Sequence, residues 1–350
     1  MTGTFDDPGE QQRLPWRQRL RLKFRRTRDD EPVEDTEPVE VRSELLRRRR
    51  ALKFFVIAVP VLLALYYPLG MALTHRIGDD PSFGLETLRV PNGGSRSVAM
   101  AAALLQREVV DGHWAANDPF FVPASMLDNM PAFQQGMVAA LARFTFELTD
   151  QIGRVRGSSQ TDPDLQEAAG LLQYSGTKWV FDFSTSIAPT ATSEQQYSKA
   201  MRSLLAYNDR LASGNAVFEA RADNLLATLD RIALDIGSSS ATLDAETDAN
   251  GWLDTRADDI FFGVKGQMYA YYLLLRELEA DFANIIAERE LGAVYEQLLA
   301  SLRHVVALDP LIVVNGAPDA MFVPSHLAAQ GFYLLRARTQ LRELTNILQK

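Results

Sequence analysis

Oxygen-bearing side chains alternate along Glu246-Thr247-Asp248-Ala249-Asn250-Gly251-Trp252-Leu253-Asp254, at loop positions one, three, five and nine, with glycine at position six. Alternation of this kind aims carboxylates at one point, where a hard cation such as calcium can be held, and glycine permits the sharp turn. The stretch departs from the calcium-loop pattern twice. Glu246 stands where Asp is usual, and the twelfth position is Ala257, with Asp258 one residue late. Glu246, Asp248, Asn250, Asp254 and Asp258 are therefore the candidate cation ligands, and calcium is the one candidate cofactor. An acidic turn between two helices, with Asp254 capping the second, accounts for the same residues.

A second candidate lies in Arg154-Val155-Arg156-Gly157-Ser158-Ser159. Two guanidinium groups with two hydroxyls and a glycine turn could hold an anion through Arg154, Arg156, Ser158 and Ser159. A solvated helix C-terminus explains the arginines equally simply. Ser175-Gly176-Thr177-Lys178 fits Ser-x-x-Lys and Ser213-Gly214-Asn215 fits Ser-x-Asn, as in penicillin-binding enzymes. Those enzymes also need a Lys-Thr-Gly on a sheet strand, which this chain lacks. The histidines (His75, His113, His304 and His326) form neither a His-x-x-x-His nor a Glu-x-x-His pair, and cysteine is absent. No His/Cys metal site and no thiolate nucleophile can be assembled, and no catalytic residues emerge.

The elements that must position these residues are helices. Pro131 suits a first helical turn, and Phe133, Met137, Leu141, Phe144, Leu148 and Ile152 follow at spacings of three or four, the stripe of a one-faced helix. Helices are predicted over Ser97–Val110, Asp162–Tyr174, Ser193–Ile236 (weakened near Gly214), Leu291–Leu308 and Ser325–Leu348. In the last of these, Leu334, Leu341 and Leu348 fall seven apart, as a bundle seam requires. Thr255 to Glu290 is apolar around most of its circumference, which places it at the bundle centre. Strand-like stretches are limited to Lys178–Ser184 and Leu311–Val314. Phe121-Val122-Pro123 is echoed at Phe322-Val323-Pro324, a weak hint of duplication.

Ahead of the bundle, Phe54 to Leu73 runs twenty residues without a charge, the length of a bilayer-crossing helix. Arg42, Arg47 to Arg50 and Lys53 precede it, whereas only Arg76 and Arg89 follow closely, so the N-terminus is expected in the cytoplasm. A cleaved signal would have a shorter leader and a better cleavage site than Gly70-Met71-Ala72. The expected organisation is a disordered charged cytoplasmic tail (1–52), a transmembrane helix (53–74), an exit linker (75–94) and a periplasmic bundle (95–350).

Within the tail, Arg13 to Arg28 carries eight basic residues and no acid, with Trp16, Leu20 and Phe24 spaced to line one helix face. That pattern suits anionic lipid, and equally a solvated basic arm. The stretch 29–44 is acidic and contains Pro32 and Pro38. Residues 1–53 hold 14 basic and 11 acidic side chains, leaving 22 and 34 for the remainder. An acidic exterior argues against nucleic acid, which needs a concentrated basic patch.

Asn117-Asp118-Pro119-Phe120-Phe121-Val122-Pro123, Leu127-Asp128-Asn129-Met130-Pro131, the Arg154 to Ser159 loop, Asp254-Thr255-Arg256-Ala257-Asp258-Asp259 and Gly266 to Tyr272 together resemble the proteobacterial domain of unknown function 2333. The resemblance runs from about Leu52 to the C-terminus. It implies a Gram-negative inner-membrane setting and supplies no catalytic residue. The resulting expectation is an all-α chain: one N-terminal transmembrane helix and an extracytoplasmic multi-helix bundle. Its expected role is an interaction or scaffold component of the envelope, with the lipid bilayer and an envelope protein or a second copy as partners. A periplasmic module binding a cation or an anionic ligand is the alternative, and a hydrolase of envelope polymers is the third reading.

Overall fold

The structure, a computed structural model, describes residues 39–86, 88, 90–154, 161–181, 188–248, 255–317 and 324–350. Among these residues there are ten helices and no strand. They are α1 (Val39–Thr74), α2 (Arg96–Leu105), α3 (Asn129–Glu147), α4 (Pro163–Leu172), α5 (Ser193–Ala212), α6 (Ala222–Asp248), α7 (Thr255–Asp281), α8 (Ala283–Glu288), α9 (Gly292–Val306) and α10 (His326–Leu348). The chain divides into two compact units, residues 1–63 and 64–350. In the first, α1 begins at Val39, ahead of the predicted span, while the predicted basic arm lies outside the described residues. Leu46–Thr74 is long and apolar enough to cross a membrane, and none of its apolar window is covered by protein.

In the second unit α7 is the centre, packed against α2, α3, α6, α8, α9 and α10. Phe261, Tyr269, Tyr271, Leu273, Leu275 and Leu278 point around its whole circumference and are all buried, which explains the absence of a polar face in the sequence. The α3 stripe from Phe133 to Ile152 is likewise buried, as is the seam of Leu334, Leu341 and Leu348 on α10. Helices α3 and α7 approach closely because glycine replaces side chains at their crossing. A Cβ at Gly136 would overlap the carbonyl of Gly263, and one at Gly266 would overlap that of Phe133. Small residues at such a crossing let two backbones meet.

Two predicted helices are divided. The segment Ser193–Ile236 is two helices. Gly214, at a φ of 76°, ends the first, where the Asn215 N–H donates back to the Arg210 carbonyl at 2.8 Å. The segment Thr255–Glu290 breaks at Phe282 into α7 and α8. Of the strand candidates, Leu311–Val314 forms no strand; the neighbouring Asn315 makes one isolated bridge with Ser325. In the other candidate the described part, Lys178–Phe181, forms none either, and the rest lies outside the described residues. In the proposed echo, Phe322 and Val323 also lie outside them.

The segment expected as an exit linker is pinned along α7. Lys265 Nζ lies 2.5 Å from Asp79 Oδ2, Tyr269 donates to the Asp80 carbonyl at 3.0 Å, and Arg276 donates to the carbonyls of Pro81 and Phe83. Arg107 stacks 4.7 Å above the Phe83 ring and donates to the Tyr269 hydroxyl at 2.7 Å. At its far end, the Asp281 carboxylate accepts from the Arg96 and Ser97 amides and from the Ser95 and Ser97 hydroxyls. A carboxylate that satisfies the orphan amides of a helix start is stabilising by about 1 kcal/mol. The last residue of α7 thereby caps the first turn of α2.

Candidate functional site

A cleft of about 470 Å³ opens between α3, α5, α6, α7 and the turn after α4. Its most polar wall is built from three helices. Arg143 of α3 donates through Nε to Asp235 Oδ2 of α6 at 3.1 Å, and the buried Tyr271 of α7 donates to the same oxygen at 2.6 Å. Beside them Ser239 donates to Gln267 Oε1 at 2.6 Å. Burial, reinforced by the Asp235 charge, pushes the Tyr271 phenol well above its ordinary range, so it remains a neutral donor. Asp235 is held by two donors, and Ser239 is paired with an amide in place of a base.

The mouth is differently provided. Arg143 is half-buried; only its Nε is hydrogen-bonded among the described residues, and its charge also acts on Glu147 one turn further along α3. The exposed side chains of Gln173 and Ser238 also line the cleft and make no hydrogen bond there. The cleft therefore offers a guanidinium fork, an amide and a hydroxyl above a satisfied wall. That is a donor set for a carboxylate or a hydroxyl-rich molecule. Among the described residues that line it, no nucleophile is paired with a base. Trp114 holds two of the lining residues: its indole donates to the Gly176 carbonyl at 2.7 Å and its ring meets Tyr197 edge to face.

The sequence-predicted sites fall elsewhere. Glu246 and Asp248 occupy the last turn of α6, and Glu246 is buried with its carboxylate 3.5 Å from Arg256. Asn250 and Asp254 lie outside the described residues. Asp258 stands in the first turn of α7, where the Asn129 amide reaches it and Asp128 and Asp259 lie close. Burial, then those two charges, push its carboxyl up to about 6. Among the described residues no group of three or more carboxylate or imidazole side chains is arranged to hold a metal ion. Arg154 pairs with Asp150 at 3.3 Å, while Arg156, Ser158 and Ser159 lie outside the described residues.

The Arg143 cleft was not foreseen, because its wall joins residues 92 positions apart. A signal did exist: Arg143 is the one charged residue between Asp128 and Glu147. No curated protein and no solved structure matches the chain significantly. A family model does match, over residues 94–256 and 244–350, which is the bundle without the anchor. The chain belongs to the family described as an uncharacterized protein conserved in bacteria, domain of unknown function 2333.

Proposed function

We propose that this is a single-pass protein of a bacterial inner membrane, with its N-terminus cytoplasmic and its helical bundle in the periplasm. There it works as an interaction component of the cell envelope, held by a protein partner or a second copy. The observation that carries the reading is the uncovered apolar length of α1, followed at once by a segment pinned to α7 through Asp79, Asp80, Pro81 and Phe83. An uncovered apolar helix of this length is stable in a bilayer and costly in water. A C-terminal phosphatase fusion should be active in the periplasm, and a photo-crosslinker at Gln173 should capture a specific partner or a second copy at native expression. An inactive fusion removes the topology, and recovery of monomer alone removes the interaction role.

The Arg143 cleft favours a second reading, a module that binds a small carboxylate-bearing ligand. Its support is the guanidinium fork beside Gln173 and Ser238. Carboxylated sugars and peptides titrated into the detergent-purified full chain should change the Trp fluorescence, since Trp114 contacts the lining residues Gly176 and Tyr197. Arg143→Met should abolish that change. The calcium loop from Glu246 to Asp254 stays a proposal of the same class, tested by calcium calorimetry on the full chain with Asp248→Ala and Asn250→Ala.

A further inference from the structure

Four aromatic rings form a chain on the surface beside the end of α1. Phe120 is 81% exposed, Phe121 49% and Phe181 42%, and Trp179 joins them. The rings meet edge to face at centroid distances of 5.5 Å (Phe120–Phe121), 5.7 Å (Phe121–Trp179) and 5.6 Å (Trp179–Phe181). No charged residue interrupts Pro119 to Leu127, while Trp179 to Phe181 lies in sequence between Lys178 and Asp182. An exposed apolar patch of this kind marks an interaction surface.

The two loops that carry the rings are clamped to each other and to the bundle. Asn117 donates to the Lys178 carbonyl at 2.9 Å, His113 holds Asp118 at 2.5 Å, and the Val122 N–H closes a turn on the Pro119 carbonyl at 2.8 Å. Their position relative to the last turns of α1, which belong to the same compact unit, is equally fixed. Tyr66 donates to the Phe121 carbonyl at 3.1 Å and Tyr67 to the Phe120 carbonyl at 2.9 Å. Gly70 sits so close to the Pro123 ring that no side chain would fit between them. The attachment points lie seven and eight residues before the end of α1 at Thr74, which is about 10–12 Å back along its axis.

We infer that Phe120, Phe121, Trp179 and Phe181 are a membrane-interface wedge that enters the outer leaflet of the same bilayer that α1 crosses. The inference rests on the reading of α1 as a membrane span. What commits the patch to lipid is its continuity with that helix: it is bonded to α1 on the bilayer side of the exit. Tyr and Trp rings with a polar handle are the residues that settle at headgroup depth, and phenylalanines the ones that reach the acyl boundary.

The chain has no cysteine, so single-cysteine variants can be labelled one at a time with an environment-sensitive fluorophore. Full-length chain in phosphatidylglycerol/phosphatidylethanolamine vesicles is labelled at F120C, at L62C within α1, and at L234C, an equally solvent-facing leucine of α6. A shallow lipid-borne quencher should reduce F120C emission about threefold more than L234C emission, with L62C answering a deep quencher. F120C behaving like L234C while L62C is quenched overturns the wedge and leaves the anchor standing. An unquenched L62C overturns the anchor and the wedge with it. F120C self-crosslinking between copies, with no lipid quenching, assigns the patch to a second copy and also overturns the wedge. Because Phe120 is exposed, the F120C chain should melt within a degree or two of the unmodified one.

Discussion

Lys265 Nζ lies 2.5 Å from Asp79 Oδ2, and the lysine side chain is entirely buried while the aspartate is partly exposed. A buried ammonium of the central helix thus joins Tyr269 and Arg276 in holding the segment that follows α1. Asp309 also approaches it, at 3.5 Å. Taking the charge out of water is unfavourable, and only the short pairing with Asp79 offsets that cost.

The two partners should therefore respond unequally to substitution. Asp79→Ala leaves a buried ammonium with only the longer, exposed Asp309 contact at 3.5 Å and should cost about 2–4 kcal/mol. Lys265→Met removes the charge and fills the same volume, so it should cost clearly less. Denaturant melts of the full chain in detergent measure both. Equal losses would mean that the packing of the lysine stem, and not the ion pair, holds the segment. Limited proteolysis adds a second readout, since only loss of the pairing should open the 75–92 stretch to cleavage.

The crossing of α3 and α7 makes a sharper structural prediction. An added methyl at Gly136 or Gly266 meets backbone, which cannot rotate away. Either alanine variant should lose about 2–4 kcal/mol through forced separation of the helices. Gly170, in the interior of α4, has nothing within 4 Å of the place where a methyl would stand. Gly170→Ala should instead gain up to about 1 kcal/mol from helix propensity. A neutral Gly136→Ala would show that the crossing has slack.

These contrasts also show what could be read from the sequence. The α3 stripe, the all-apolar α7 and the leucine seam of α10 were legible because a helix writes its buried face at intervals of three and four residues. The break after Gly214 was only half legible: glycine marked the weak point, but the positive φ that turns the chain belongs to the folded state. Lys265 was visible as the one charge between Asp259 and Arg276, and Arg143 as the one between Asp128 and Glu147, yet their partners Asp79 and Asp235 are remote in sequence. Loop alternation drew attention to Glu246 and Asp248, which fold as the final turn of α6. Alternation aims side chains at one point only in a loop; on a helix, residues two apart face different ways.

Asp258 predicts a pH dependence. Burial beside Asp128 and Asp259 raises its carboxyl from the ordinary 3.8 to about 6. Between those values the folded chain holds a proton that the unfolded chain has released. This group's contribution is therefore most favourable below about pH 4 and is lost as pH rises through about 6. Asp258→Asn keeps an acceptor for the Asn129 amide and removes the charge. It should stabilise the chain at pH 7 by about 1 kcal/mol after allowance for solvent screening, and leave it unchanged at pH 4. Thermal melts at the two pH values decide; an equal gain at both would assign the effect to packing.

The Arg143 cleft can be separated into a structural wall and a binding mouth. Tyr271 is buried and gives Asp235 its shortest hydrogen bond, so Tyr271→Phe should cost about 1–2 kcal/mol. Asp235→Asn should cost a similar amount, and the double variant should fall short of the sum by about 1 kcal/mol, because the two act through one bond. Arg143 is half-buried and contributes only Nε to that wall. Arg143→Met should therefore change stability by less than about 1 kcal/mol while removing the fork that faces the cleft. If Arg143→Met destabilises the chain as much as Tyr271→Phe does, the arginine is part of the wall, and the cleft loses its claim to bind a carboxylate.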